Sequence, residues 1–191
     1  EPTGGLSITS ADGGGAMLVE RVQPGYGLLG GKTLNSAATC GAMFFENVID
    51  QPSGRPRVRL DASREGGKVL RETAVAYLRE TTLGALKAAN RQLSDIDFFV
   101  SNTPTAWFSD FCCRALEIDP AKTIDTYPLY ANTGPALTTG NLFHALAEGR
   151  AKPDDTLLIY SVGSISTVSA AVVRLGDFVT GPMPKPPKVR Q

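Results

Sequence analysis

From Gly67 to Arg91, small and apolar residues recur at intervals of three and four. Val69, Leu70, Thr73, Ala74, Tyr77, Leu78, Thr81, Gly84, Ala85 and Ala88 share one side of a predicted long helix. Arg71, Glu72, Arg79, Glu80 and Lys87 lie largely outside that stripe. The small members Ala74, Gly84, Ala85 and Ala88 allow another element to come close. Further on, short apolar runs alternate with helical periodicity. Ile96 to Ser101 (IDFFVS) predicts a strand, Trp107 to Ile118 a helix, Ile124 to Tyr127 a strand, and Gly134 to Gly149 a helix with Gly149 as its C-cap. Past the turn AKPDD, Thr156 to Val162 predicts a buried strand and Ser166 to Leu175 a second one. Strands alternating with helices predict an α/β sheet with helical layers.

The N-terminal part is less regular. Leu6 to Thr9 and Ala16 to Val22 predict two paired strands, with ADGGG as a hairpin turn whose glycines accept positive φ and with Asp12 as a turn residue. Tyr26 to Thr39 predicts a strand, or a pair of strands, interrupted by Gly30 and Gly31. Residues 50–63 (DQPSGRPRVRLDAS) predict a surface loop. The closing GPMPKPPKVRQ, with four prolines, predicts an extended tail, so the chain divides into a folded part at 1–177 and a tail at 178–191.

With 191 residues, the chain is long enough for one domain with a substantial core. Its 19 basic residues balance 19 acidic ones, which argues against nucleic acid or an anionic membrane surface as partner. No apolar run approaches the roughly eighteen residues that span a bilayer, and the chain is read as cytoplasmic. It begins EPTGGLSITS without a Met, and its start is read as a cut end. The three cysteines show no CxxC or Cys/His metal spacing. Adjacent Cys112 and Cys113 read as core thiols suited to a reducing compartment, and no metal or cofactor is expected.

Candidate chemistry sits in the loops. Asn102 in VSNTPT and Asn132 in YANTGP follow two predicted strands, and SVGSIS follows a third. Ligands of open α/β sheets bind at the carboxyl ends of strands, so the three loops are expected to share one site. The plainer alternative is that both asparagines are turn residues. His144, the single histidine, reads as a surface residue of its helix, and Trp107, Phe108 and Phe111 read as helix packing.

The stretch ANTGPALTTGNLFHALAEGRAKPDDTLLIYSVGSISTVSAAVVRLGD closely resembles the end of the ketoacyl-ACP synthase III family, members of the thiolase superfold. The shared features are a GNTS-type motif opening a helix, an EGR-K-P-G-D turn, a strand ending in a glycine loop, and a last strand ending in V-R. ADGGGAMLVERV resembles the family's DGAGA strand pair, so the similarity covers about residues 5–177. The resemblance implies a thiolase-like α/β fold, of which only the second half is present: a mixed sheet covered by helices, packing on a matching N-terminal half that carries the nucleophilic Cys. None of Cys40, Cys112 and Cys113 matches that nucleophile. The family's second half supplies a His and an Asn. Asn132 matches the Asn, whereas Asn102 stands in the position of the His and retains a donor without a titratable proton. Ser164, in the counterpart of the glycine loop, would supply an oxyanion-hole N–H.

The resemblance implies an acyltransferase of specialised metabolism that works only with its partner half, moving an acyl group from a CoA or acyl-carrier-protein thioester to an acceptor. Decarboxylative Claisen condensation and a non-catalytic stabilising subunit are the alternatives. A dimer of complete two-half units is expected, and the isolated chain is expected to be insoluble or aggregated because it exposes the face its sister half covers.

Overall fold

The computed structural model describes residues 10–41, 43–62, 64–163 and 166–185. Its central sheet has four strands in the order β1 (Gly27–Asn35), β6 (Thr167–Arg174), β5 (Thr156–Gly163), β4 (Phe98–Ser101). β1 and β5 both run antiparallel to β6, while β4 and β5 are parallel, with Phe98 opposite Leu157 and Ser101 opposite Tyr160. The sheet is therefore mixed. Two antiparallel strands, β2 (Met43–Ile49) and β3 (Pro56–Ala62), form a separate hairpin.

Helices cover both faces, and side-chain alternation sorts the core. On one face, Phe99, Leu158, Tyr160, Val168, Ala170 and Val172 pack against α1 (Arg64–Ala88) and α2 (Phe108–Leu116). On the other, Phe98, Val100 and Leu157 pack with Ala145 of α4 (Ala136–Ala147). All four residues of β4 are buried, which explains their unbroken apolar run. Each large core side chain contributes on the order of 2 kcal/mol of apolar burial. The mixed sheet with helices on both faces is the α/β architecture the sequence predicts.

The helix α1 lies across β1 and β6. Its buried stripe comprises Leu78, Thr81, Thr82, Ala85 and Leu86 and continues in Ala89 just past the helix, while Ala88, assigned to the stripe by periodicity, is exposed. Close approach explains a glycine in the facing strand. A Cβ on Gly30 would come within 2.4 Å of the Ala89 backbone nitrogen, so β1 runs unbroken through Gly30 and Gly31 as one strand, with an irregularity between Leu28 and Gly30.

Several expectations need correction. Part of the predicted 50–63 loop is β3, whose alternation of Arg57 and Arg59 with Val58 was masked by its Pro- and Gly-rich surroundings. Arg59 pairs with Glu46 directly across the hairpin, and Arg57 lies 3.4 Å from Asp50. The hairpin is nonetheless a surface element, with Phe44 and Val58 exposed. Ala16 to Val22 is not a strand: it forms no ladder among the described residues, and Met17, Leu18 and Val19 are exposed. Its predicted partner, Leu6 to Thr9, lies outside the described residues. Ile124 to Tyr127 shrinks to a single bridge between Thr123 and Phe99. There the Asp125 carboxylate accepts the Tyr127 N–H at 2.8 Å, diverting a ladder donor, and Pro128 suits the first turn of the short helix α3 (Tyr127–Tyr130).

Gly149 does end α4 as expected, with φ of 67° just past the helix and its N–H donating to Leu146. Residues 178–185 form neither helix nor strand. No helix among the described residues is long and apolar enough to cross a membrane.

Candidate functional site

The parallel pair β4 and β5 brings two of the three chosen loops together at its carboxyl end. Asn102 directly follows β4. Its backbone N–H donates to the Tyr160 carbonyl at 3.1 Å. Its side chain then continues the ladder: Nδ2 donates to the Val162 carbonyl and Oδ1 accepts the Val162 N–H, both at 3.0 Å. The carboxamide thus stands in for a peptide group, one rung beyond the last backbone pair, and is buried at 6% exposure. A His side chain at this position lacks the adjacent donor and acceptor needed for both bonds. Ser101 Oγ and Thr105 Oγ1, on either side of Asn102, are buried without hydrogen-bond partners among the described residues.

Asn132 is arranged differently. Its Oδ1 accepts the Gly134 N–H at 2.9 Å, an Asx turn that leads into α4. That bond fixes the orientation of the amide, because only the oxygen can accept. Its Nδ2 makes no hydrogen bond among the described residues, and the residue is partly exposed, so a donor is left on offer. The preceding residue is strained: Ala131 has φ of 55° and ψ of −157°, a region that disfavours any side chain. Such strain persists only where the surroundings over-determine the backbone.

The surroundings here include a glycine strap. Ser10 bridges Asn132, and the Ala11 N–H donates to the Asn132 carbonyl at 2.9 Å. A Cβ on Gly13 would lie 2.7 Å from Thr133, and one on Gly15 would lie 2.7 Å from Thr139. ADGGG is therefore not a hairpin turn. Gly13, Gly14 and Gly15 are absent from the residues with positive φ, and their value is thinness, which lets the chain lie against the Asn132 loop and α4.

A buried amide that sequence reading missed ties the loops together. Asn141, fully buried in α4, accepts from the Thr126 N–H at 3.1 Å and the Thr126 hydroxyl at 2.6 Å. It donates to the Ser101 carbonyl at 2.7 Å and to Thr103 Oγ1 at 3.2 Å. One side chain thus joins the helix after Asn132 to both neighbours of Asn102. The available signal was an Asn between Leu137 and Ala145 on the buried face of LTTGNLFHALA.

His144 also departs from expectation, because it is buried rather than on the surface. It faces inward because Tyr130 and Glu148 supply partners for both ring nitrogens. Phe108 packs as predicted, stacked on Tyr160 with centroids 6.4 Å apart, whereas Trp107 is exposed and meets Phe111 edge-on. Cys112 and Cys113 are core thiols. Burial pushes both thiols up, with Cys113 adding to the effect at Cys112 and Asp110 at Cys113, so neither is a ready thiolate. Ser164 lies outside the described residues.

Residues 86–175 match the family model described as 3-oxoacyl-[acyl-carrier-protein] synthase III C terminal. A beta-ketoacyl-[acyl-carrier-protein] synthase III of Rhodospirillum rubrum is 37% identical over 111 residues, covering 58% of this chain and 34% of the relative. One from Desulfitobacterium hafniense is 27% identical over 180 residues, covering 89% of this chain and 52% of the relative. Among solved structures, the Thermus thermophilus synthase III superposes with a TM-score of 0.71 at 24% identity, covering 83% of this chain and 49% of that one. OleA of Xanthomonas campestris superposes at 0.61 with 20% identity, covering 76% and 38%. The chain spans between about a third and a half of the length of these curated relatives.

Proposed function

On the premise that this chain is a C-terminal-half relative of ketoacyl-ACP synthase III, with that family's C-terminal domain at residues 86–175, we propose that it completes an acyl-transfer site. The complementary half supplies the Cys that carries the acyl group. The acyl group arrives as a CoA or acyl-carrier-protein thioester and leaves to an acceptor, and the whole unit acts as a dimer. The observation that carries this reading is the Asn132 amide, whose oxygen is locked by Gly134 and whose Nδ2 is left open. A donor held in advance where a thioester oxygen gains charge stabilises the transition state without reorganising, and one such donor is worth about 10²–10³ in rate.

Asn102 plays a different part in this proposal. With Oδ1 and one N–H committed to Val162, it positions the loop after β4 and holds the β5 end in place. Ser164 contributes a backbone N–H to the acyl carbonyl. The exposed Met17, Leu18, Val19 and Val22 provide apolar surface for the partner half to cover.

Decarboxylative condensation is the second reading, supported by the synthase III names of the relatives. The test is intact-mass spectrometry of the natural complex before and after incubation with an acyl-CoA panel that includes malonyl-CoA. A co-purifying partner that gains one acyl mass and passes it on without CO₂ loss is the expected result. Loss of CO₂ with growth of the acyl chain would establish condensation instead. A partner that never acylates would leave a stabilising subunit.

A further inference from the structure

Acyl transfer to a hydroxyl or amine must place the acceptor's proton somewhere, and neither Asn102 nor Asn132 titrates. The chain has a single histidine, His144, and it lies close by in the fold rather than in the two asparagine loops. Its Nδ1 is 3.1 Å from Glu148 Oε1, and its Nε2 is 3.0 Å from the Tyr130 hydroxyl. A carboxylate beside Nδ1 favours the tautomer protonated there, leaving the Nε2 lone pair to accept from Tyr130. Tyr130 ends α3, and strained Ala131 and then Asn132 follow it directly. Tyr130 and His144 both line a cleft of about 420 Å³, walled by the glycine strap, Thr133 and Thr139.

Simple anchoring of α3 to α4 would need only the Tyr130–His144 bond. The arrangement adds a carboxylate behind the imidazole, and both ring-bearing residues line the cleft. Among the described residues, three titratable groups face the imidazole or share its cleft: Glu148 just past the end of its own helix, Tyr130 from α3 and Asp12 from the strap.

We propose that Glu148, His144 and Tyr130 form a proton relay that opens at the Tyr130 hydroxyl into this cleft and serves a protic acyl acceptor, an alcohol or an amine. This assignment rests on the acyl-transfer reading above. As the acceptor's oxygen or nitrogen bonds to the acyl carbon, its proton passes to Tyr130 Oη and the phenol's own proton passes to His144 Nε2. Glu148 stabilises the resulting imidazolium through Nδ1–H. When the acyl–sulfur bond breaks, the departing thiolate takes a proton back along the same chain, and every group returns to its starting state.

The test labels histidine with ¹⁵N in the assembled natural protein and assigns the His144 signals as those lost in His144→Gln. The expected spectrum has a protonated, slowly exchanging Nδ1 and an unprotonated Nε2 whose resonance moves in Tyr130→Phe. In kinetics, Tyr130→Phe lowers transfer to the acceptor about 100-fold while acyl loading of the partner stays within about threefold. His144→Gln keeps an acceptor for the phenol and is expected to leave the melting temperature near wild type with the same loss of transfer. A protonated Nε2, an Nε2 indifferent to Tyr130→Phe, or undiminished transfer in His144→Gln overturns the relay. If the nitrogen signature holds but the wild type transfers to no acceptor, the acyl-transfer reading fails, and the catalytic role of the relay fails with it.

Discussion

Asn102 and Asn132 are the same residue type at the ends of neighbouring elements, yet they are used in opposite ways. Asn102 is nearly buried, and its amide is committed to the backbone of β5. Asn132 is half-buried, its oxygen held by Gly134 and its nitrogen left open. A carboxamide completes a scaffold when both its ends are satisfied by one partner, and it serves a ligand when only its acceptor end is tied. Residue identity alone does not tell these cases apart.

Substitutions separate the two roles. The largest effect is expected for Asn132→Ala, with acyl transfer falling about 10²–10³-fold, or about 3–4 kcal/mol, while the denaturation midpoint hardly moves. A large loss of stability would instead make Asn132 a scaffold residue. Next is Asn141→Ala, which strands Thr126, Ser101 and Thr103 in a dry interior and is expected to cost about 3 kcal/mol in urea denaturation. Because it ties both loops, it should blur the contrast between them. Asn102→Ala leaves the Val162 N–H and carbonyl unpaired, and about 2 kcal/mol of stability should go with them. A specific loss of rate at unchanged stability would return Asn102 to the chemistry. The smallest effect is a gain: Ala131→Gly relieves a conformation that costs a non-glycine residue of order 1–3 kcal/mol, raising stability by about 1 kcal/mol after the entropy of the new glycine is counted.

Where period and burial coincide, the sequence was legible. The α1 stripe and the apolar runs at Phe98–Ser101 and Thr156–Gly163 each bury a face that their own pattern announces. Where a glycine or proline serves distance instead of turning, the pattern misleads. Gly13 and Gly15 read as a turn but are spacers against Thr133 and Thr139, and Pro56 and Gly54 disguised a hairpin. Ala16–Val22 has strand composition but no ladder among the described residues, since β propensity expresses pairing and packing rather than a backbone preference.

The site shows the same division. Asn102 does follow a strand, as the sequence predicted, whereas Asn132 follows the short helix α3; the direction of the Asn102 amide depends on a partner distant in sequence, and that of Asn132 on Gly134 two residues on. Val162 and Asn102 are sixty residues apart. His144 was misread because a lone imidazole on a helix carries no mark of burial; its inward orientation depends on Tyr130, which lies in the YANTGP loop past the predicted strand Ile124 to Tyr127.

The rung that Asn102 adds to the β4–β5 ladder also bears on how this position can change. Asn102→His would place an imidazole beside Val162, but it would remove two hydrogen bonds to the β5 backbone in the same step. Asparagine is thus entrenched at residue 102. The Val162 N–H and carbonyl depend on it, and a histidine there makes a less stable protein.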